Sequence, residues 1–218
     1  MDFLENNPDY GLVHTELDHY YVKSGRYVKN HWLKARVTNQ SGDLYNSLLG
    51  GGNSMIYTCT VCFRKDLILD VDNARFSRYL YGDVPVWLHI ASKSKIGYLN
   101  ESTAVRNVLL NSLTQGRDFD FKMKLAKNSE LIFNDFNKYK PFSEETQYKW
   151  KQRYKRKICE ICYQYRKDYE LFEHNYNSLD NEFKTFIIKL KRILFKWNIP
   201  VKLSRIIVYI SKKLFPMR

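Results

Sequence analysis

Asp83 stands between Gly82 and an apolar segment, Val84-Pro85-Val86-Trp87-Leu88-His89-Ile90-Ala91. Proline is tolerated in the first turn of a helix and aspartate is a preferred N-cap, so the spacing predicts a helix whose head holds the Asp83 carboxylate. At the end of an aromatic segment (Phe76, Tyr79, Tyr81), such a carboxylate is placed to act as a general base; plain capping is the alternative. His14, Glu16 and Asp18 alternate along one extended run and therefore share a face. They read as an acid/base or hard-metal cluster, or as the solvated face of a hairpin whose other face buries Val13 and Leu17. For His89 the plainer reading is a surface or satisfied core histidine.

The cysteines form two pairs, Cys59-Thr60-Val61-Cys62 and Cys159-Glu160-Ile161-Cys162, which superficially match a four-thiolate zinc site. On a strand, residues three apart point to opposite faces, and the long gap between the pairs is foreign to a compact zinc knuckle, so reduced structural thiols are expected. There is no Gly-x-Ser-x-Gly, no phosphate-cradling glycine loop and no His-Glu-x-x-His. Gly50-Gly51-Gly52 lacks the Lys-Ser/Thr of a P-loop and reads as a helix stop.

The elements that must position these residues alternate in type over residues 1–110. Residues 10–22 and the segment from Tyr27 predict a hairpin turning at Lys23-Ser24-Gly25-Arg26. Residues 42–49 read as a helix, residues 56–63 as a strand buried on both faces, residues 76–80 as a helical turn, and residues 96–105 as a strand pair or one bent strand. Alternation of this kind predicts an α/β body. Beyond Pro141, Ser143-Glu144-Glu145 caps a long predicted helix with its seam at Tyr154, Ile158, Ile161, Tyr165, Tyr169 and Phe172. Two amphipathic helices follow, one through Phe183, Phe186, Ile187, Leu190, Ile193, Leu194 and Trp197, the other through Leu203, Ile206, Ile207, Ile210 and Leu214. Asp118-Phe119-Asp120 reads as a loop.

A chain of 218 residues with 44% hydrophobic and 16% aromatic content has the means to build a core, which excludes a disordered chain. No window approaches the ~18 apolar residues of a membrane span, and the acidic start is neither a signal nor a transit peptide, so the cytoplasm is expected. Of the net charge of +13, residues 151–218 carry +11, and from Phe183 to Arg218 ten basic residues meet no acidic one. Such a tail fits an anionic membrane surface through residues 183–218, at the inner membrane face, or packing against the body with a solvated basic face. A nucleic-acid-binding module, with Tyr148, Trp150 and Tyr154 interleaved with Lys149, Lys151 and Arg153, is the reading from a different class. Against it, those aromatics fall on the helical seam.

Four segments taken in order carry a resemblance: Met1-Asp2-Phe3-Leu4-Glu5-Asn6-Asn7-Pro8 with Gly11-Leu12-Val13-His14-Thr15; residues 57–63 with Arg64-Lys65-Asp66-Leu67; Gly82-Asp83-Val84-Pro85-Val86-Trp87-Leu88; and Asn100-Glu101-Ser102-Thr103-Ala104-Val105. The succession resembles the acceptor-side half of bacterial family 2 glycosyltransferases of the GT-A fold, over about residues 1–115. The resemblance implies a partial GT-A-like mixed sheet with flanking helices over residues 1–140, followed by a basic helical region over residues 141–218. It implies inverting sugar transfer from a nucleotide-sugar donor to a growing cell-surface glycan or lipid-linked acceptor, with Asp83 as general base and an acceptor wall including Arg64, Gly82 and Trp87. A divalent manganese or magnesium ion belongs to such chemistry, but its ligands are not found in this sequence. The resemblance also places the family's nucleotide-binding half upstream of residue 1, and a catalytically inactive relic is a further alternative. The family's Tyr-Arg after Thr-Ala-Val is replaced by Arg106-Asn107.

Overall fold

The computed structural model describes residues 2–29, 40–49, 56–71, 73–80, 82–109, 118–200, 203–204 and 206–209. They form two compact units, one of residues 1–116 and 128–147, the other of residues 117–127 and 148–218. The first unit is mixed α/β around a four-stranded sheet.

That sheet is organised by β1 (Tyr10–Tyr21). The strand β4 (Lys95–Val108) runs parallel to it along its whole length, from Tyr10 opposite Lys95 to Tyr21 opposite Val108. The other edge is shared by two short antiparallel strands: β3 (Val61–Phe63) opposite residues 12–14, and β2 (Arg26–Val28) opposite residues 19–21. With one edge paired throughout, the other at both ends, and both faces covered, β1 is buried almost continuously, as parallel-type central strands are. Its residues Leu12 and Leu17 are fully enclosed. Parallel pairing is broken by irregularities around Glu16, where β4 carries extra residues between Leu99 and Ala104.

The hairpin turns through Gly25 at φ 64°, a left-handed conformation that glycine adopts without a Cβ penalty. At the head of the unit, α1 (Asp2–Asn6) is tied down by the Arg64 guanidinium, which donates to the carbonyls of Leu4, Asn7 and Tyr10. One side chain thus ties three carbonyls from Leu4 to Tyr10 together. Between β1 and β4 lie α2 (Tyr45–Leu49), α3 (Asn73–Phe76) and α4 (Asp83–Ala91). The long helix α5 (Phe119–Tyr139) contributes Ile132, Phe133 and Phe136 to this core. Tyr45 is buried there, stacked 4.6 Å from Phe142, and donates to the carbonyls of Phe136 and Lys140 at 3.0 and 2.6 Å. Its one polar atom thus has acceptors inside the core.

The second unit is helical. Its helices α6 (Glu144–Tyr165), α7 (Tyr169–Asn177) and α8 (Phe186–Lys196) gather Ile158, Cys159, Ile161, Cys162, Phe172, Ile188 and Phe195 into one cluster. Phe172 meets Phe195 edge-on at 5.5 Å, and Arg192 of α8 grips Glu173 of α7 through two bonds of 2.7 and 2.6 Å. Such a forked pair fixes orientation as well as distance.

Three sequence expectations change here, and a fourth is resolved to one of its two readings. The helix predicted through Tyr154 and Phe172 is broken between Tyr165 and Tyr169, where Arg166 and Asp168 adopt φ of 53° and 58° and Asp168 caps α7 by accepting from the Leu171 amide. The strand predicted over residues 56–63 is a 3-10 turn, Thr58–Thr60, followed by three strand residues, and Cys59 is exposed. Asp118 is not in a chance loop: its carboxylate accepts from the Phe121 amide at the start of α5, a helix the sequence reading missed. Residues 96–105 belong to one strand. The glycines at 50–52 lie outside the described residues, as do Ile210 and Leu214.

Gly11 sits in β1 where a Cβ would lie 2.1 Å from Ser94 Oγ and 2.3 Å from Leu67 Cδ1. Gly11→Ala should therefore cost about 1–3 kcal/mol by overpacking, read as a lowered urea midpoint with unchanged slope.

Candidate functional site

Asp83 is the first residue of α4 and Gly82 stands at its N-cap position, so Asp83 is one residue inside the helix and not its cap. The half-buried carboxylate accepts from the Val84 amide at 2.8 Å through Oδ1, leaving Oδ2 toward the Thr58 hydroxyl at 3.4 Å. Gly82 is exposed, and a Cβ there would meet nothing within 4 Å, so the approach to Asp83 is open on that side.

Thr58 opens the 3-10 turn that leads into β3, and its neighbour Tyr57 brings a second group. The Tyr57 phenol accepts from Arg106 Nη1 at 2.8 Å, and the guanidinium lies 4.8 Å from the ring centroid. Burial pushes the Tyr57 phenol above its ordinary value, with the Arg106 cation acting against that shift. Arg106 comes from β4, paired with His19 of β1, whose ring lies 6.0 Å from Tyr57. The Asp83 carboxylate thus meets the Thr58 hydroxyl, and the Tyr57 phenol meets the Arg106 guanidinium. The sequence reading singled out Asp83 alone. Arg106 entered it only as a departure from a family pattern, because no local spacing ties residue 57 to residue 106.

The acceptor-wall residues separate. Arg64 is committed to the carbonyls at the end of α1. Trp87 is 5% exposed, with its ring 6.1 Å from Phe63, and its indole N–H has no partner among the described residues. Gly82 adjoins Asp83 at the surface. Of the three, Gly82 alone is open beside the carboxylate as the side chains stand.

The contacts of Asp83 bring it one amide and one hydroxyl, whereas a divalent cation needs several oxygen ligands. Among the described residues no group of three His, Cys, Asp or Glu side chains is arranged to hold a metal. The thiols of Cys159 and Cys162 lie within the helical core, where burial pushes them up to about 12 and about 11. Those shifts disfavour the thiolate that zinc requires. His89 is buried and bonded to Asp70 at 3.1 Å, and Lys93 closes on the same carboxylate, holding Asp70 down to about 2.

His14, Glu16 and Asp18 are not on a solvated face: all three are buried. His14 Nε2 contacts the Gln40 carbonyl at 2.9 Å; Glu16 accepts from its neighbour's amide and from the Tyr98 hydroxyl at 3.0 Å; Asp18 accepts from Tyr27 at 2.6 Å and Ser102 at 2.8 Å. Burial, and then Glu16, push the Tyr98 phenol up to about 12. The cluster is a closed polar seam within the sheet. Comparison with protein-family models, curated proteins and solved structures returned no match.

Burial holds His14 below the ordinary histidine value, against opposing effects of the Gln40 carbonyl and Glu16. The folded state thus resists a proton that the unfolded chain accepts near pH ~6.5, so stability present above that value is lost as pH falls. Thermal midpoints should drop between about pH 7.5 and about pH 5.5, and His14→Gln should flatten part of that slope. Parallel slopes in the two proteins would show that His14 does not carry it.

Proposed function

We infer that the first unit performs the acceptor-side work of an inverting glycosyltransferase with a GT-A-like sheet, and that Asp83 is its general base. The observation that carries this is the Asp83 carboxylate at the head of α4, fixed by the Val84 amide and turned toward the Thr58 hydroxyl ahead of β3. The ordered resemblance of the four segments supports the same reading, since it couples the strand ending in Phe63-Arg64 to the Asp83 helix.

In this reading the acceptor sugar enters on the open side at Gly82. Asp83 Oδ2 takes the proton of the acceptor hydroxyl as its oxygen forms a bond to the donor's anomeric carbon. The bond from that carbon to the diphosphate breaks on the opposite face, the nucleoside diphosphate departs, and the configuration inverts. General-base assistance of this kind contributes about 10²–10⁴-fold. The acceptor is a growing cell-surface glycan or a lipid-linked sugar.

Two other readings remain in view. An inactive relic is favoured by the lack of a divalent-ion donor set among the described residues. A nucleic-acid module has less support, because Trp150 is stacked on Tyr154 at 5.1 Å and Tyr148 is bonded to Asp180 and Glu182, acidic groups that repel a phosphate backbone.

Nucleoside diphosphate release from a panel of nucleotide sugars, with and without saccharide acceptors, tests the assignment. Asp83→Asn preserves an oxygen for the Val84 amide, so it should keep the thermal midpoint while lowering acceptor-dependent release by about 10²–10⁴-fold. Equal release by both proteins would remove Asp83 as the base. No release by either would favour the relic.

A further inference from the structure

The sequence pattern places all the apolar residues of α8 on one seam, but the structure divides them between two opposite faces. Ile187, Ile188, Leu194 and Phe195 are buried within the helical unit. Phe186, Ile193 and Trp197 face outward, at 51%, 56% and 72% exposure. With Lys189 and Lys196, also exposed, they fall at i, i+3, i+7, i+10 and i+11, one continuous stripe of a 3.6-residue helix. Folding of the unit satisfies the inner face and leaves the outer stripe apolar.

We propose that this outer stripe of α8 docks the helical unit onto an anionic phospholipid surface, with Phe186, Ile193 and Trp197 entering the headgroup region and Lys189 and Lys196 reaching lipid phosphates. Charge complementarity selects this occupant. The stretch from Phe183 to Arg218 carries ten basic residues and no acidic one. Arg192 and Lys191 turn toward Glu173 and Glu160 of the unit itself, while Lys189 and Lys196 stay with the outward stripe. A second copy of the same face would bring like charges together. A nucleic acid would use the lysines but not an aliphatic side chain such as Ile193 at the centre of the stripe, because bases stack on aromatic or guanidinium planes. A bilayer interface uses both: it solvates lysine and takes up Ile, Phe and Trp, with Trp favoured at headgroup level. Leu203, Ile206 and Tyr209, exposed at 49%, 54% and 60% in the next helical segment, extend the apolar surface along the chain. Among the described residues no helix is long and apolar enough to cross a membrane, so the contact is peripheral.

The proposal is independent of sugar transfer, and its test uses plain lipids. The full chain is sedimented with phosphatidylcholine vesicles and with vesicles of phosphatidylcholine plus phosphatidylglycerol, over a range of salt. Co-sedimentation should need the anionic lipid and weaken as salt rises. Ile193→Ser with Trp197→Ser should lower the bound fraction by about tenfold or more at unchanged thermal midpoint, since both side chains are exposed. Lys189→Glu with Lys196→Glu should abolish the preference for anionic lipid. Brominated lipid should quench the wild-type tryptophan emission more than that of Trp197→Ser. Failure to sediment with phosphatidylglycerol, equal sedimentation of the Ile193/Trp197 variant, a dimer that the same variant converts to monomer in light scattering, or displacement from vesicles by a short oligonucleotide would each overturn it.

Discussion

The constraint on which the first unit depends is that β1 is paired along the whole of one edge and at both ends of the other, and is covered on most of both faces. Parallel pairing to β4 closes one edge, β3 and β2 divide the other, and the faces are covered from Gly11 to His19 except at Thr15. A strand in this position is normally a run of aliphatic residues, because every buried polar group must find a partner. This one carries His14, Glu16 and Asp18 inside. Partners for them come from Gln40, Tyr98, Ser102 and Tyr27, so β4 and the hairpin return β2 are held to β1 by side-chain as well as backbone bonds, and the segment at residue 40 is held to it by the His14 side chain. The irregular pairing opposite Glu16 falls where these bonds concentrate.

The same arrangement fixes the neighbourhood of Asp83. β3 anchors the turn that carries Thr58, and α4 offers the carboxylate at its first residue. The two groups are not adjacent in sequence, and each is placed by an element whose position follows from β1. The site is thus a product of the sheet's order more than of any motif.

What the sequence made legible follows from this distinction. Local signals were readable: the Gly25 turn of the hairpin, the proline-marked start of α4, and the helical period of α6 and α8, though not how α8's apolar residues divide between faces. Signals that depend on what lies across the fold were not. Alternation of His14, Glu16 and Asp18 says that they share a face but not whether another layer covers it. The Arg166–Asp168 break escaped notice because non-glycine residues there adopt left-handed backbone, which no glycine or proline announces. The helix α5 was missed because its polar residues outnumber the few, such as Ala126, Ile132, Phe133 and Phe136, that it buries. For Asp83 the residue was legible and its company was not, since residues 58 and 83 meet only through tertiary structure.

Three of the four cysteines fall into two classes of accessibility, with Cys62 between them. Cys59 is exposed in the turn beside Thr58, whereas Cys159 and Cys162 are sealed in the helical core, with Cys159 Sγ 3.5 Å from the Phe172 carbonyl. A thiol reagent therefore meets two different clocks in one molecule. Modification at Cys59 marks the rim of the carboxylate site in the native state, while modification at Cys159 or Cys162 has to wait for the helical unit to open and so times that opening.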